Sequence, residues 1–147
     1  ECFKVLIQSF QMKSENFASK LFLLSVKYCH LPFCKLISEH YRDEIDYTYH
    51  DEKGNTALHI AVLLNDLSKT QFILDIYNNN QINVNVKDKS SVTPLSYAAR
   101  EGNLEIVSMF LNNQSIRVNE HDVISHLIVI YYISITIFDG VSINFFF

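Results

Sequence analysis

Cys29, His30 and Cys34 carry the side chains best suited to bind a metal ion, because thiolate and imidazole groups are the usual ligands of zinc. A zinc site of this kind needs four ligands, commonly arranged as two closely spaced pairs. Four residues separate the two cysteines, but no second matching pair follows. The spacing therefore indicates buried structural thiols, and we expect no metal and no cofactor. The remaining cysteine and two further histidines lie elsewhere: Cys2, His40 and His50.

The other patterns that support catalysis do not occur in this sequence. No Gly-x-Ser-x-Gly turn presents a nucleophilic serine, and the three glycines are too far apart to form a phosphate-binding loop. A cluster of carboxylates is typical of a solvated face, or of a patch that attracts a basic partner. We therefore expect no enzymatic activity and no small-molecule substrate. The clustered carboxylates are Glu39, Asp43, Glu44 and Asp46.

Composition indicates a globular chain of one domain's length, with 147 residues, 48% hydrophobic and 19% charged. The net charge of −4 argues against a nucleic-acid partner, because phosphate binding needs clustered basic residues. Three irregularly spaced cysteines do not form a disulfide framework, and no signal peptide is visible. We therefore expect a reducing location, cytoplasmic or otherwise intracellular. Because the chain starts at Glu1, we expect a fragment or a processed product.

A sequence pattern recurs with a spacing of 37 residues. The segment Gly54–Val62 reads Gly-Asn-Thr-Ala-Leu-His-Ile-Ala-Val, and Ser91–Ala99 reads Ser-Val-Thr-Pro-Leu-Ser-Tyr-Ala-Ala. The same step backwards from Thr56 reaches Ser19, where a weaker copy begins. A fixed period of this length indicates stacked supersecondary units.

The last of these copies predicts a helix, a turn and a second helix. Thr93 can cap the first helix, and Pro94 suits its first position because no backbone donor is needed there. Gly102 can adopt the left-handed conformation that ends the helix. Asn103 can then cap a second helix that reaches about Asn112, before an extended segment at 116–119. The predicted unit is thus a helical hairpin with an extended exit.

The pattern Thr-(Ala/Pro)-Leu-(His/Ser)-x-Ala resembles the core motif of the ankyrin repeat. The resemblance implies an all-α solenoid of about three repeats over residues 1–122, with a partial repeat at 1–18 and repeats near 19–50, 51–87 and 88–119. It also implies that His59 holds backbone turns together by hydrogen bonds, and that the 37-residue period has its surplus in the turn at 78–81. The residues that match the motif are Thr56, Leu58, His59, Thr93, Pro94, Leu95 and Gly102.

The earlier copies follow the same plan with substitutions. In the middle copy, helices are predicted at 57–64 and 67 to about 77, and Asn65 takes the place of Gly102 because asparagine tolerates the left-handed conformation. In the first copy, helices are predicted at 21–27 and 32 to about 41, with Tyr28 in the place of the glycine. The extended exits are expected at 45–48 and 82–85.

The resemblance also implies a protein partner, which the family binds through its turn tips and the exposed side of each first helix. Tyr97 and Arg100 are the leading candidates for anchor residues, since aromatic and arginine side chains often dominate interfaces. Three apolar residues on the first helix of the middle copy predict an exposed patch, or packing against a missing neighbour. The tip positions are His50, Glu52, Lys53, Asn55, Lys87, Lys89, Ser90 and Val92, and the helix positions are Ile60, Leu63, Leu64, Tyr97, Arg100 and Glu101.

The last segment, 123–147, is a hydrophobic tail that does not follow the repeat pattern. It is interpreted as a helix that caps the stack or as a poorly ordered end, and membrane anchoring by residues 123–138 stays open. Two alternatives to a free interaction module follow: a membrane-tethered ankyrin scaffold, and the recognition arm of a larger enzyme or ubiquitin-ligase adaptor.

Overall fold

Helices arranged as three successive hairpins form the part of the chain that the computed structural model describes, residues 15–112. The first hairpin contains α1 (Phe17–Tyr28) and α2 (Leu31–His40). The second contains α3 (Ala57–Leu63) and α4 (Leu67–Asn79), and the third contains α5 (Pro94–Arg100) and α6 (Leu104–Leu111). Between residues 15 and 112 this is the all-α arrangement that the sequence predicted.

The ends of the helices are set by side chains and by left-handed residues. The hydroxyl of Thr93 accepts the amide of Ser96 at 3.2 Å at the start of α5, where Pro94 is the first helical residue. Asn65 and Gly102 have φ angles of 55° and 71° in the turns that follow α3 and α5. The predicted left-handed conformation of these two residues is therefore confirmed.

The hairpins stack through two sets of contacts. The first helices pack in series, α1 against α3 and α3 against α5, and among the second helices α4 packs against α6. Each hairpin contributes fully buried apolar side chains to a continuous core, among them Phe22, Leu58, Ile73 and Phe110. Burial of such faces against neighbouring units is what stabilises a solenoid.

The first hairpin differs from its prediction. Helix α1 begins at Phe17, four residues before the expected start, so that Ser19 lies inside the helix rather than at its beginning. Phe17 packs edge-on against Tyr41, with ring centroids 6.0 Å apart, which gives the additional helical turn an apolar contact. The turn after α1 also contains no left-handed residue, because Cys29 has a φ of −110°.

Equivalent hydrogen bonds show how the first two units correspond. Cys34 and Thr70 each bond to the carbonyl four residues earlier and are 36 positions apart. Further along, Asp46 and Asn83 each accept an amide from two residues ahead at 2.9 Å, and they are 37 positions apart. The second unit therefore contains one additional residue between these points, in the part of the repeat that includes the asparagine-rich turn.

Several predictions concern residues outside 15–112. The capping helix or anchor at 123–147, the extended exit at 116–119 and most of the partial repeat at 1–18 are among them. Between residues 15 and 112, no helix is both long enough and apolar enough to cross a membrane.

Candidate protein-binding surface

The tip that precedes α3 is a tight turn built around a carboxylate. The amide of Asp51 donates to the carbonyl of Asn55 at 3.0 Å, and the amide of Gly54 donates back to the carbonyl of Asp51 at 3.0 Å. The Asp51 carboxylate accepts the amides of Lys53 and Asn55, both at 2.9 Å. Partial burial works to raise the pKa of Asp51, but these amides and the nearby Lys27 ammonium hold it below its usual value. The carboxylate therefore stays ionised and rigidifies the tip.

The tip that precedes α5 repeats this geometry. The Asp88 carboxylate accepts the amides of Ser90 at 2.8 Å and Val92 at 2.9 Å, and the amide of Ser91 donates to the Asp88 carbonyl at 3.0 Å. Ser91 has a left-handed φ of 62°, where the preceding tip has Gly54 at 85°. The two tips thus share one conformation, although their sequences differ.

The tips contact each other directly. The amide of Lys89 donates to the carbonyl of Lys53 at 3.0 Å. A Cβ atom at Gly54 would lie 2.7 Å from the Lys89 nitrogen, so a side chain at this position would separate the tips. The absence of a side chain at Gly54 therefore allows the close approach that joins them.

Tyr97 connects the second of these tips to the first-helix face. Its hydroxyl donates to the Asp88 carboxylate at 2.6 Å, and this hydrogen bond raises the pKa of Tyr97. The guanidinium of Arg100 lies over the tyrosine ring, 4.7 Å from its centre. The edge of the His59 ring also approaches Tyr97, with centroids 6.1 Å apart. Helix α5 and its tip consequently form one surface.

His59 has a structural environment. The ring is fully buried, and Nε2 lies 3.1 Å from the Val92 carbonyl, which can only accept, so Nε2 carries the proton. Nδ1 then accepts the amide of Thr56 at 3.2 Å. Burial lowers the pKa of His59, which keeps the imidazole neutral. This side chain links the second unit to the tip of the third. Ser96, at the equivalent position, bonds to the Thr93 hydroxyl at 2.9 Å.

The structure exposes most of the predicted contact residues and buries two of them. Asn55 is 7% exposed because its amide groups turn inward to Asp51, and Ile60 is 5% exposed on α3, which lies between α1 and α5. The expected exposure of these two residues is therefore wrong. Tyr97 is half-buried, and the exposed members are His50, Glu52, Lys53, Leu63, Leu64, Lys87, Lys89, Ser90, Arg100 and Glu101.

The apolar patch consequently has a different membership from the one predicted. Leu63 and Leu64 are 43% and 46% exposed, and Tyr28 at the end of α1 is 44% exposed. Tyr28 lies at the end of α1, the helix that packs against α3. Aligning the repeats at the ends of their first helices could have identified Tyr28, because Tyr28 and Leu64 each lie three residues before the start of a second helix.

The two tip carboxylates were also missed by sequence reasoning. Asp51 and Asp88 are 37 residues apart, and each is followed three residues later by the left-handed Gly54 or Ser91. This spacing was visible in the sequence as an extension of the repeated motif toward its N-terminal side.

The described residues show no metal-binding cluster. Between 15 and 112, no group of three or more histidine, cysteine, aspartate or glutamate side chains is arranged to hold an ion. Cys29 and Cys34 are both buried and are not joined by a disulfide, and burial raises the pKa of Cys34.

Stacked helical hairpins with hydrogen-bonded tips between them define a repeat protein of the solenoid class. The chain belongs to the ankyrin repeat family: the family model described as ankyrin repeats in three copies matches residues 22–122. In the comparison with curated proteins, none matches the chain. Ankyrin repeats are in general non-catalytic modules for protein–protein interaction.

Proposed function

We propose that the tips and the exposed side of the first helices bind a protein partner, with no chemical step. The observation that carries this proposal is the hydrogen bond between the tips, from the Lys89 amide to the Lys53 carbonyl at 3.0 Å. Together with the Tyr97–Asp88 bond at 2.6 Å, it fixes the backbone below the exposed side chains before any partner arrives. A surface that is already ordered loses less conformational entropy on binding.

The side chains on this surface suit an interface. Arg100 is exposed and held over Tyr97, with its Nε 3.5 Å from the Glu101 carboxylate, so its guanidinium is positioned at the surface. Leu63 and Leu64 add exposed apolar area at the end of α3, the helix that packs against α5. Aromatic and arginine anchors next to apolar contacts are typical of the residues that dominate binding energy.

Differential affinity capture tests this proposal. The full chain is compared with Lys53→Ala/Arg100→Ala on the proposed surface and with Lys35→Ala/Arg42→Ala, which removes two exposed cations from the second-helix side. We expect at least one protein to be captured by the wild type and the control variant and lost from the surface variant. Circular dichroism must show equal helicity for all three.

The opposite pattern would contradict the proposal. If every captured protein is retained by the surface variant, or is lost from the second-helix variant instead, the partner binds elsewhere.

A further inference from the structure

The charges of this protein are segregated between its first helices and the rest of the fold. Helices α1, α3 and α5 contain Lys20, Lys27 and Arg100 and no carboxylate, although the whole chain has a net charge of −4. Glu101 follows directly after α5, where its carboxylate lies 3.5 Å from Arg100. Cations thus predominate on the first-helix face of an acidic protein.

The tips add to this excess of positive charge. Lys53, Lys87 and Lys89 are exposed, together with the carboxylate of Glu52. The carboxylates of Asp51 and Asp88 are instead engaged by backbone amides within each tip. The charges that a partner would meet at the tips are therefore mostly ammonium groups.

Carboxylates are concentrated on the second helices and on the segment after α2. Exposed acidic residues there outnumber Lys35 and Arg42, the exposed basic residues of the same elements. The acidic residues in question are Glu39, Asp43, Glu44, Asp46, Asp75 and Glu105. A partner with negative charge would accordingly be attracted to the first-helix side and repelled from the second-helix side.

Apolar side chains lie between the cations of the first helices. Lys27, Leu63 and Arg100 each precede the start of a second helix by four residues, so they form one row across the three units. Adjacent packed helices are about 8–10 Å apart, which places the two cations roughly 20 Å from each other with leucine between them. Tyr28 and Leu64 extend the apolar part of this row. We refer to Lys27, Arg100, Tyr28, Leu63 and Leu64 as the basic–apolar row.

We propose that the basic–apolar row binds an acidic segment of a partner protein, with apolar side chains against Leu63 and Leu64 and carboxylates toward Lys27 and Arg100. This inference rests on the proposed protein-binding function and specifies the partner's chemistry. A nucleic acid is less well matched, because a phosphate backbone would use the cations and leave the leucines exposed to water.

Panning of random 12-residue peptides displayed on phage against the immobilised full chain tests the partner's chemistry. We expect the enriched peptides to contain more aspartate and glutamate than lysine and arginine, together with leucine, phenylalanine or other large apolar residues. Enrichment of basic or uncharged peptides, or no enrichment, would overturn the inference.

The enriched peptide is then titrated by fluorescence anisotropy against matched variants. Lys27→Glu/Arg100→Glu and Lys35→Glu/Arg42→Glu change the net charge equally, but on opposite sides of the fold. We expect the dissociation constant to rise about tenfold or more for the first pair and less than about twofold for the second. Leu63→Ser/Leu64→Ser is also expected to weaken binding by about tenfold. Circular dichroism confirms that each variant is folded.

The outcomes separate this inference from the proposed function. If polyglutamate or a short DNA strand binds as tightly as the peptide, the recognition is electrostatic alone and the inference fails. If the enriched peptides are basic but lose affinity in the variants of the row, the inference fails while the proposed function stands. If binding is unchanged in both variants of the row, the partner site lies elsewhere and the proposed function fails as well.

Discussion

At the scale of single residues, His59 connects two repeats through its two ring nitrogens. Nε2 donates to the Val92 carbonyl of the next tip, and Nδ1 accepts the amide of Thr56. Protonation would remove the acceptor at Nδ1 and place a charge in a fully buried site. The neutral imidazole is consequently the form that the folded chain requires.

This requirement predicts a pH dependence of stability. Because burial lowers the pKa of His59 from 6.5, the unfolded chain binds a proton at higher pH than the folded chain. The free energy of unfolding should therefore be unaffected by this group above about pH 7. As the pH falls below the unfolded-state pKa, the free energy of unfolding should decrease by up to about 1.4 kcal/mol per pH unit, until the folded-state pKa is passed. Urea unfolding between pH 8 and pH 5 measures the slope.

The variant His59→Gln is the control for this measurement. It should be less stable than the wild type at pH 8, because glutamine does not reproduce both hydrogen bonds, and it should show a smaller slope between pH 7 and pH 5. Asp51 and Asp88 do not interfere, since their pKa values lie below 3.8. Equal slopes in the two proteins would show that His59 does not control the pH dependence of stability between pH 7 and pH 5.

Gly54 and Gly102 provide a matched pair of substitutions. Both residues are left-handed, but a Cβ at Gly102 would have no atom within 4 Å, whereas one at Gly54 would meet the Lys89 nitrogen at 2.7 Å. Gly102→Ala should cost about 1 kcal/mol for the backbone conformation alone. Gly54→Ala should cost about 2–3 kcal/mol, because the bond between the tips is also strained.

Chemical denaturation of both variants gives the comparison. The difference between the two losses isolates the contact between tips from the conformational preference of glycine. If both variants lose the same stability, the approach of Lys89 to Gly54 contributes nothing to folding.

At the scale of secondary structure elements, α1 differs most from its sequence prediction. The repeat pattern placed Ser19 at the helix start, yet it lies within the helix, where its hydroxyl accepts the amide of Asp46 at 2.8 Å. Ser25 is also buried in α1, but its hydroxyl donates to the carbonyl of Phe22 in the same helix at 2.7 Å. Ser19 therefore holds a neighbouring segment through the Asp46 amide, whereas Ser25 bonds within α1 and also to the Cys34 thiol of α2.

Alanine substitutions at these serines should have unequal effects. Ser19→Ala should lower the free energy of unfolding by about 1–3 kcal/mol, because the Asp46 amide loses its acceptor in a partly buried place. Ser25→Ala should cost less, about 0.5–1 kcal/mol, since alanine is the better helix former and the lost bonds are one within the helix and a weak one with the Cys34 thiol. Urea unfolding of both variants checks this, and a larger loss for Ser25→Ala would contradict it.

At the scale of the whole molecule, the middle unit carries the contacts that couple the stack. Helix α3 packs against both α1 and α5, whereas α6 belongs to the third unit and contacts α4 and α5. Leu58 in α3 and Phe110 in α6 are both 0% exposed. Repeat proteins are stabilised by such interfaces between neighbouring units. A cavity created by mutation should therefore destabilise more of the stack when it lies in the middle unit than when it lies in the third.

Hydrogen exchange monitored by mass spectrometry should show this difference. Leu58→Ala should cost about 2–5 kcal/mol and accelerate exchange in both α1 and α5. Phe110→Ala should cost about 3–5 kcal/mol, with the largest acceleration in the third unit and little in α1. Equal acceleration in α1 for the two variants would indicate that residues 15–112 unfold as a single cooperative unit.

The family, the pairing of helices and most helix boundaries could be predicted from the sequence, because they depend on local chemistry. Thr93 and Pro94 favour a helix start, and Gly102 favours a left-handed end, whatever surrounds them. The repeated spacing then placed the tips and the first-helix face on one surface. The positions of Leu63, Leu64 and Arg100 followed from that register.

Features that depend on contacts between units could not be predicted in this way. Ile60 lies on α3 between two neighbouring helices, and Asn55 turns inward to Asp51, so both are buried although their positions in the repeat suggested exposure. The contact between Gly54 and Lys89 and the placement of Ser19 inside α1 likewise depend on where a neighbouring segment lies. Burial and close approach depend on two surfaces in contact. The sequence pattern of a single repeat describes only one of those two surfaces.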